Sequence, residues 1–390
     1  MKLDRLLRKQ ELTILGINSG TSADGIDLAV VRCRTGKPVR FVDGTTIPYN
    51  PRLRSLILET ADSPTTSLEH LIRLDNLLGV TYGNAAAKFI RRLNRRRITV
   101  DAVASHGQTV RHVPTPVKLA GIAVHGTMQL GSLDQIAART GKIVVGDFRQ
   151  ADIALGNEGA PITVAAVARI FGSPKESRLV LNIGGMANYF FLPRNSSKII
   201  AEDTGPGNVL SDLLAHRLFG RRYDRNGALA AQGTVSSQLL KTIRTASHRT
   251  RSTGRELYGA ALADQLMVQG RKLRLSHHDL LATAVELTVD SIAARIAPIL
   301  RKDRSIRKLY LTGGGIHNSF LRQRLHDRLS LPVTTVTELG MDPDLVEAAS
   351  FAVMGAACLH GESMRTRFKG ADSQRVKPIS GRIVQPPDRP

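Results

Sequence analysis

The chain has 390 residues, of which 55 are basic and 33 acidic, giving a formal net charge of +22. Its length predicts two or three domains. A hydrophobic fraction of 42% beside 23% charged residues excludes a largely disordered chain. Two cysteines exclude a disulfide scaffold, and no run of about 18 apolar residues is present that would span a membrane. The N-terminal sequence MKLDRLLRKQ lacks the apolar segment of a signal peptide, so we expect a cytoplasmic protein.

The positive charge is concentrated at the two ends of the chain and in one arginine-rich segment. Residues 1–10 hold four basic residues and one acidic residue, residues 363–390 hold seven and two, and RRLNRRR at 91–97 adds five arginines. Aromatic residues are only 4% of the chain and tryptophan is absent, so few side chains could stack on nucleotide bases. We therefore expect neither a specific nucleic acid nor a membrane among its partners, and leave a homodimer open.

Short apolar runs alternate with helical patterns along the whole chain, which predicts an α/β architecture. In the first half, strands are predicted at Leu12–Ile17, Asp27–Cys33, Pro38–Ile47, Thr99–Ala104 and Lys142–Gly146, with helices after Pro51 and from Ser67 to Arg97. In the second half, strands are predicted at Leu179–Ile183, Tyr189–Leu192, Ile199–Glu202, Lys308–Thr312 and Val333–Thr337. Helices are predicted between the strand at Ile199–Glu202 and about residue 300.

Both halves begin with three strands around a glycine-containing turn and continue with alternating helices and strands. This repetition predicts a duplicated α/β fold with a cleft between two lobes. We expect an N-terminal lobe at residues 1–165, joined by a C-terminal helix at 344–360, and a C-terminal lobe at 166–343. Residues 361–390 show no periodicity and are expected to form a loosely ordered basic tail.

Polar, glycine-rich segments follow six of the predicted strands, and ligands of α/β proteins bind at such strand ends. The first is NSGTSADGID, from Asn18 to Asp27, where hydroxyl and backbone N–H donors suit phosphate oxygens and Asp24 suits a hydrated Mg²⁺ ion. Its alternative interpretation is a tight β-hairpin with polar side chains. LTGGGIHN, from Leu311 to Asn318, allows close backbone approach to a planar or phosphate ligand, or forms a plain strand-to-helix turn.

The segment EDTGPGN places the Asp203 carboxylate at a predicted strand end, where it can take a proton from a substrate. In the alternative interpretation Asp203 only caps the following turn. Hydrogen-bonding side chains are also dense in SHGQT at 105–109 and in DFRQADIALGNEGAP at 147–161. They fit either a polyhydroxylated sugar, or a buried structural histidine with an Asp–Arg ion pair. The side chains concerned are those of His106, Gln108, Asp147, Arg149 and Asp152.

Taken in order, these segments resemble the anhydro-N-acetylmuramic acid kinase family of the sugar kinase/Hsp70/actin superfamily. The similarity runs from about Gly16 to Ala357. Its matching segments are GINSGTSADGID, SHGQTVRHVP, TMQLG, GKIVVGDFRQADIA, GAP, LNIGGMAN, DTGPGN, YDRNGALAAQG, STGREL, LTGGGIHN and DPDLVEAASFA. The resemblance implies an α/β fold with two actin-like (ribonuclease H-like) lobes that close over ATP and a substrate.

The resemblance also implies a combined reaction in peptidoglycan sugar recycling. Water attacks the anomeric carbon of a 1,6-anhydro sugar while the released O6 takes the γ-phosphoryl group of ATP, giving N-acetylmuramic acid 6-phosphate. The implied cofactors are ATP and Mg²⁺. Asp203 and Glu347 are the implied catalytic residues, with Asp203 deprotonating the water, and Asp24 and Glu347 the implied metal ligands.

Binding residues carry over from the matching segments in the same way. Implied contacts to ATP come from Gly20, Thr21, Ser22, Ala23, Asp24, Gly25, Ile26, Asp27, Gly184, Gly185, Asn188, Gly205, Gly207, Asn208, Gly313, Gly314, Gly315 and Asn318. Implied contacts to the sugar come from Ser19, His106, Gln108, Asp147 and Arg149.

The chain departs from the family's usual residues at several positions, mostly on the implied sugar side. Arg111 stands where Trp is frequent, Ser132 where Asp is usual, and Asn157–Glu158 where a Gly–Gln pair is common. The alternatives are therefore a kinase for another anhydro-sugar, such as levoglucosan, or a catalytically silent sugar- or nucleotide-binding sensor on the same fold. Retention of Asp203, Asp24 and Glu347 argues against the sensor, because a pure binder needs no base.

Overall fold

The computed structural model of the protein describes residues 2–194, 198–247, 255–364 and 379–387. Much of the predicted tail at 361–390, and the first residues of STGREL, lie outside these ranges. The chain forms two compact units: unit 1 comprises Met1–Ile170 with Gly340–Pro390, and unit 2 comprises Phe171–Leu339. Within the described ranges, no helix is both long and apolar enough to cross a membrane.

The strands are β1 (Glu11–Ser19), β2 (Gly25–Arg34), β3 (Arg40–Pro48), β4 (Ala102–Leu119), β5 (Ile122–Leu130), β6 (Ile143–Gly146), β7 (Arg178–Ile183), β8 (Met186–Leu192), β9 (Ile200–Pro206), β10 (Leu309–Thr312), β11 (Val333–Thr335) and β12 (Arg382–Val384). The helices are α1 (Lys2–Leu7), α2 (Pro51–Asp62), α3 (Leu68–Arg95), α4 (Leu133–Thr140), α5 (Gln150–Ala154), α6 (Val164–Phe171), α7 (Asn208–Phe219), α8 (Ser237–Ser247), α9 (Arg255–Lys272), α10 (His277–Lys302), α11 (Ser319–Leu329) and α12 (Val346–Leu359). Short 3-10 helices lie at Arg225–Gly227, Ala230–Gln232, Gly314–His317, Val336–Leu339 and Pro343–Leu345.

The two units share one sheet topology. In unit 1 the strands run in the order β12-β6-β4-β1-β2-β3, with β5 paired to β4, and in unit 2 the order is β11-β10-β7-β8-β9. The first three strands of each unit pair antiparallel, and the first strand then pairs parallel with a later one that has a second parallel neighbour. The predicted duplication of an α/β, ribonuclease H-like unit is confirmed.

The central helix of unit 1 is α12, which packs directly on the sheet. Its residues are almost all buried, as expected for a helix without a polar face. It approaches β1 so closely that a Cβ atom at Gly16 would overlap the Ala348 carbonyl oxygen, and a Cβ at Gly355 would lie 2.6 Å from Ala104 Cβ. This contact fixes the start of α12, where Glu347 lies, against β1.

Three sequence predictions need correction. SHGQT was expected to follow a strand, but it lies inside β4, which continues into an unpredicted hairpin with β5. Likewise Asp203 lies within β9 rather than after it. β12 lies in the C-terminal segment, for which no element was predicted. These strands lack a clear apolar alternation. They are held in place by pairing with neighbouring strands, and no local sequence pattern records such pairing.

Candidate functional site

Unit 1 carries a row of polar side chains across the ends of three strands. Asn18 on β1 is the register partner of Asp27 on β2, which is the partner of Thr46 on β3, so all three side chains lie on one face. The Thr46 hydroxyl donates to Asp27 Oδ1 at 2.6 Å, and Asn18 Nδ2 donates to Glu347 Oε2 at 2.8 Å. The structure therefore brings the predicted residues Asp27 and Glu347 to one row.

The electrostatics of this row suit a cation. The pKa of Asp27 is raised to about 6, mainly by burial and in smaller part by the charges of Glu347, Asp344 and Asp342, while the Thr46 hydrogen bond opposes the rise. Among the described residues, no three His, Cys, Asp or Glu side chains are arranged to hold a metal. A Mg²⁺ ion bound with a nucleotide needs only one or two protein carboxylates, because phosphate oxygens and water complete its shell. The residues present fit such an ion.

The turn between β1 and β2 exposes its polar side chains and buries its apolar ones. The exposed side chains at its tip are those of Thr21, Ser22 and Asp24. Ala23 and Ile26 lie in the hydrophobic core of unit 1, and a Cβ at Gly25 would lie 2.6 Å from the Ile47 carbonyl oxygen. Arg54 Nε lies 3.4 Å from Asp24 Oδ1. The turn is thus a tight hairpin, and Ala23, Gly25 and Ile26 could meet a ligand only through their backbone.

Ser19 and Gln108 belong to a buried hydrogen-bond chain with two tyrosines. Ser19 Oγ donates to Gln108 Oε1 at 2.5 Å, the Tyr49 hydroxyl donates to Ser19 Oγ at 3.0 Å, and the Tyr49 and Tyr82 hydroxyls are 2.9 Å apart. Gln108 Nε2 also donates to the Gly20 carbonyl at 3.2 Å. Ser19 is 3% exposed and Gln108 1%. These two predicted sugar ligands therefore hold the glycine turn in place.

His106 and Arg149 form a hydrogen-bonded pair above a buried aromatic ring. Arg149 Nε donates to His106 Nε2 at 3.0 Å, and Arg149 Nη1 donates to the Gly159 carbonyl at 2.7 Å. The His106 ring stacks on Phe351, with centroids 4.3 Å apart and an interplanar angle of 19°. Because Nε2 accepts a hydrogen bond, the imidazole is neutral and carries its proton on Nδ1. That atom is buried, with no partner of hydrogen-bonding geometry among the described residues.

His106 gives the protein a pH-dependent stability. The pKa of His106 is lowered to about 3, mainly by burial and also by the Arg149 charge, against a contact with the Gly107 backbone. The unfolded chain takes up this proton near pH 6.5, so the native state loses stability as the pH falls from about 6.5 toward 3. We expect the melting temperature to fall more steeply between pH 6.5 and about 4 in the wild type than in His106→Gln. Equal slopes would contradict a neutral buried histidine.

The loop after β6 is closed around Gly159. Asp152 accepts hydrogen bonds from Asn157 Nδ2 at 3.2 Å and from the Gly159 N–H at 3.0 Å, while Arg149 binds the carbonyl of Gly159. Asp147 begins the loop in the left-handed region, at a φ of 61°. Among the described residues, no ion pair joins Arg149 to Asp147 or to Asp152. Both Arg149 and Asp152 instead shape this loop.

One departure from the usual family residues has a structural explanation. Ser132 is the N-cap of α4, and its side chain accepts a hydrogen bond from the Gln135 N–H. Serine and aspartate are both good N-caps, so this exchange keeps the cap. Of the other departures, Arg111 donates to the Ser63 carbonyl, and Glu158 is exposed.

Unit 2 carries a corresponding row. Asn182 on β7 is the register partner of Asn188 on β8, and Asn188 is the partner of Asp203 on β9. The β8–β9 register shifts beside this pair, so that Thr204 forms a bulge and its hydroxyl donates to the Ala187 carbonyl at 3.1 Å. Such bulges re-aim neighbouring side chains. Asp203 is exposed, and Asn188 Oδ1 is a buried acceptor without a hydrogen-bond partner in the described part of the chain.

The glycine turn of unit 2 caps helix α7. The N–H groups of Gly207 and Val209 donate to the Gly185 carbonyl at 2.8 and 3.2 Å, and the Asn208 N–H donates to the Gly184 carbonyl at 2.8 Å. Free N–H groups at a helix N-terminus commonly bind phosphate, but these three are already used. The structure thus brings four predicted nucleotide residues together and pairs them with one another.

The three glycines after β10 differ in their surroundings. Gly313 has a φ of 78°, and a Cβ there would overlap Asn182 Oδ1, while a Cβ at Gly315 would overlap the Ile183 side chain. At Gly314 the nearest atom to such a Cβ is Asn208 Nδ2, at 3.7 Å. Gly314 is therefore the position of the three where an added methyl group would make only an ordinary van der Waals contact. In the same segment, the Asn318 side chain accepts from the Leu321 N–H and caps α11. In β9, Gly205 has a φ of 136° and lies beside Ser291.

Four residues that support these rows were not predicted from the sequence. Asn182 precedes the second glycine turn as Asn18 precedes the first, and this repeat was a readable signal. Phe351 follows Glu347 by one helical turn, a spacing that places both on one face of α12. Tyr49 and Tyr82 carry no local signal, because only the folded chain brings their hydroxyl groups together.

Comparisons with known proteins give matches over nearly the whole chain. The family model described as anhydro-N-acetylmuramic acid kinase matches residues 12–375. A protein of that name from Salinibacter ruber is 38% identical over 375 residues, covering 92% of this chain and 94% of its own. One from Crocosphaera subtropica is 39% identical over 357 residues, covering 87% and 90%. A solved structure, the activator of 2-hydroxyisocaproyl-CoA dehydratase from Clostridium difficile, covers 90% of this chain and 96% of its own at 13% identity, with a TM-score of 0.42 that supports no conclusion.

Proposed function

Because the chain belongs to the anhydro-N-acetylmuramic acid kinase family, we propose that it uses ATP to phosphorylate 1,6-anhydro-N-acetylmuramic acid. The family match over residues 12–375 is the observation that carries the proposal. The product is N-acetylmuramic acid 6-phosphate, and the setting is peptidoglycan sugar recycling in the cytoplasm, where ATP is available. The carboxylates and amides at the strand ends of both units supply the polar groups that this chemistry needs.

The proposed step opens the anhydro bridge and transfers one phosphoryl group. A water oxygen bonds to the anomeric carbon as the bond from that carbon to O6 breaks, and O6 keeps the electron pair. O6 then bonds to the γ-phosphorus of ATP as ADP leaves. The water gives up one proton, and Asp203 is the proposed base because its carboxylate is exposed on the unit 2 row.

Nucleotide binding is assigned to the glycine segments of both units. The exposed hydroxyl groups of Thr21 and Ser22 and the N–H groups of their turn suit phosphate oxygens. Asp27 and Glu347 are the proposed carboxylates for Mg²⁺, because they lie on the unit 1 row. Asp27 replaces the predicted ligand Asp24, which is exposed at the tip of the turn beside Arg54. Bound there, Mg²⁺ would neutralise phosphate charge.

Substitutions at Gly314 and Gly313 are expected to affect different properties, nucleotide binding at Gly314 and stability at Gly313. We expect Gly314→Ala to change the free energy of unfolding by no more than about 0.5 kcal/mol, because its new methyl group makes only an ordinary contact with Asn208. The same methyl group should raise the KM for ATP, because it would stand where the nucleotide is proposed to bind. Gly313→Ala is expected to lower that free energy by about 1–3 kcal/mol, since its methyl group overlaps Asn182. Urea unfolding and ATP titrations measure both. An unchanged KM for ATP in Gly314→Ala would remove Gly314 from the nucleotide site.

Arg149 is the proposed contact for the lactyl carboxylate of the sugar. Its Nε and Nη1 are used by His106 and Gly159, and no hydrogen bond within the described residues engages Nη2. Levoglucosan carries no anion to pair with it. We therefore expect kcat/KM for anhydro-N-acetylmuramic acid to exceed that for levoglucosan by at least about two orders of magnitude. Arg149→Gln is expected to remove most of this preference, whereas Arg73→Gln, at an exposed arginine of α3, keeps it.

The test is ADP release by the purified protein with ATP, Mg²⁺ and a panel of 1,6-anhydro sugars. The proposal expects release with anhydro-N-acetylmuramic acid above all other sugars. Preference for levoglucosan would establish the alternative kinase. Binding of sugar or nucleotide without turnover on any sugar would establish the sensor.

A further inference from the structure

The C-terminal strand β12 lies beside the strand that leads into Arg149. β12 pairs antiparallel with β6, so that Val384, Ile383 and Arg382 oppose residues 144, 145 and 146 in turn. Its last partner, Gly146, directly precedes the Asp147–Arg149 segment. β12 also lies beyond residue 375, where the family match ends, so the resemblance did not predict it. We propose that β12 is a positioning element that holds Arg149 for the sugar, an inference that rests on the proposed role of Arg149.

The first contact that carries the inference is between Gly381 and Phe148. Gly381 directly precedes β12, and a Cβ atom on it would lie 2.8 Å from Val145 Cγ1, 3.1 Å from Cys358 Sγ and 3.3 Å from Phe148 Cε1. Cys358 Sγ donates to the Gly381 carbonyl at 3.7 Å. The backbone at Gly381 therefore packs against the ring of Phe148, which is 1% exposed.

The second contact runs from Phe148 to the guanidinium group. The rings of Phe148 and Phe351 have centroids 5.7 Å apart, and Phe351 stacks on His106. His106 Nε2 in turn accepts from Arg149 Nε. Arg149 is thus supported through its own backbone, which continues from Phe148, and through its side chain, which rests on His106. In both cases the contacts that connect Arg149 to β12 pass through Phe148.

Without β12, strand β6 would be an edge strand. β6 has four residues and would keep only its parallel partner β4, while its other side would present unpaired N–H and C=O groups. Val384 would also leave the hydrophobic core of unit 1, which it packs against. Loss of β12 is therefore expected to free the segment that ends at Arg149 before it disturbs the turn at Gly20.

The first experiment removes residues 379–390 and then supplies them as a synthetic peptide. In the shortened chain we expect faster amide hydrogen exchange at residues 147–150 and a KM for anhydro-N-acetylmuramic acid raised at least about tenfold, with the KM for ATP unchanged. The peptide, added at about millimolar concentration, should restore both values by pairing with β6. Unchanged exchange and sugar KM, or equal losses for sugar and ATP, would overturn the inference.

A substitution with a matched control keeps the test valid if the shortened chain folds poorly. Gly381→Ala, at a φ of 128°, places a methyl group 2.8 Å from Val145 Cγ1, 3.1 Å from Cys358 Sγ and 3.3 Å from Phe148 Cε1, and should raise the sugar KM selectively. Gly36→Ala is also at a positive φ, 67°, but has no atom within 4 Å, and should leave both KM values unchanged. Equal sugar KM values in the two variants would overturn the inference. If the full chain does not turn over the sugar, the proposed function fails, and faster exchange in the shortened chain still supports the positioning of Arg149.

Discussion

Asp203→Asn is expected to lower kcat by about 10²–10⁴-fold, because the amide cannot take a proton from the attacking water. The fold should persist, since the substitution is nearly isosteric and the bulge beside it is held by the Thr204 hydroxyl and the Ala187 carbonyl. Nucleotide binding should also survive, as the ATP phosphates are assigned mainly to the turn at Gly20–Asp27 and to Mg²⁺ rather than to Asp203. A coupled ADP assay and a melting curve measure the two effects separately.

Glu202→Gln is the matched control for this prediction. Glu202 precedes Asp203 on β9, points to the opposite face of the strand and accepts a hydrogen bond from the Tyr189 hydroxyl at 3.2 Å. Its amide variant should keep near-normal turnover. Near-normal turnover in Asp203→Asn, with at most about 1–2 kcal/mol of lost stability, would reduce Asp203 to a structural cap.

Gly16→Ala is expected to lower the free energy of unfolding by about 3 kcal/mol or more. Its methyl group would overlap the backbone carbonyl of Ala348 and lie 3.0 Å from Ala352 Cβ, so α12 must move off β1. Because α12 carries Glu347 and Phe351, activity should fall as well. Urea unfolding gives the stability and the ADP assay gives the activity.

Gly20→Ala provides the comparison within the same segment. The nearest atom to a Cβ at Gly20 is Ser22 Oγ at 3.8 Å, so its stability should stay within about 0.5 kcal/mol of the wild type. A Gly16→Ala variant as stable as the wild type would contradict the close approach of α12 to β1.

The fold was largely predictable because it repeats. Ten of the twelve strands in the described part of the chain gave short apolar runs bounded by turn residues, and the recurrence of three strands around a glycine turn predicted the two units. β5 and β12 were not predictable, because the first is polar in part and largely exposed, and the second is a partly exposed run in a segment without periodicity. The conformation of β12 depends on pairing with β6, which is distant in sequence. The conformation of β5 depends on pairing with β4, which no local sequence pattern records.

The candidate site was predictable in composition and less so in arrangement. Glycine and polar segments indicated the strand ends, and the structure brings Asp27 to the same row as Glu347 and places Asp203 on the second row. Sequence alone could not show that the Gly207–Val209 N–H groups are used by a glycine turn, or that Ser19 bonds to Gln108. Those roles depend on which groups the fold leaves unpaired.

The product of one complete turnover tests the central claim most directly. In the 1,6-anhydro sugar O6 is part of the bridge, so phosphorylation at O6 requires that the bridge open. We predict that phosphorus and carbon NMR of a reaction run to completion will show one ADP for each sugar 6-phosphate, with a free anomeric carbon in every phosphorylated sugar. A phosphorylated sugar that keeps its anhydro bridge, or ADP formed without a sugar phosphate, would contradict the account.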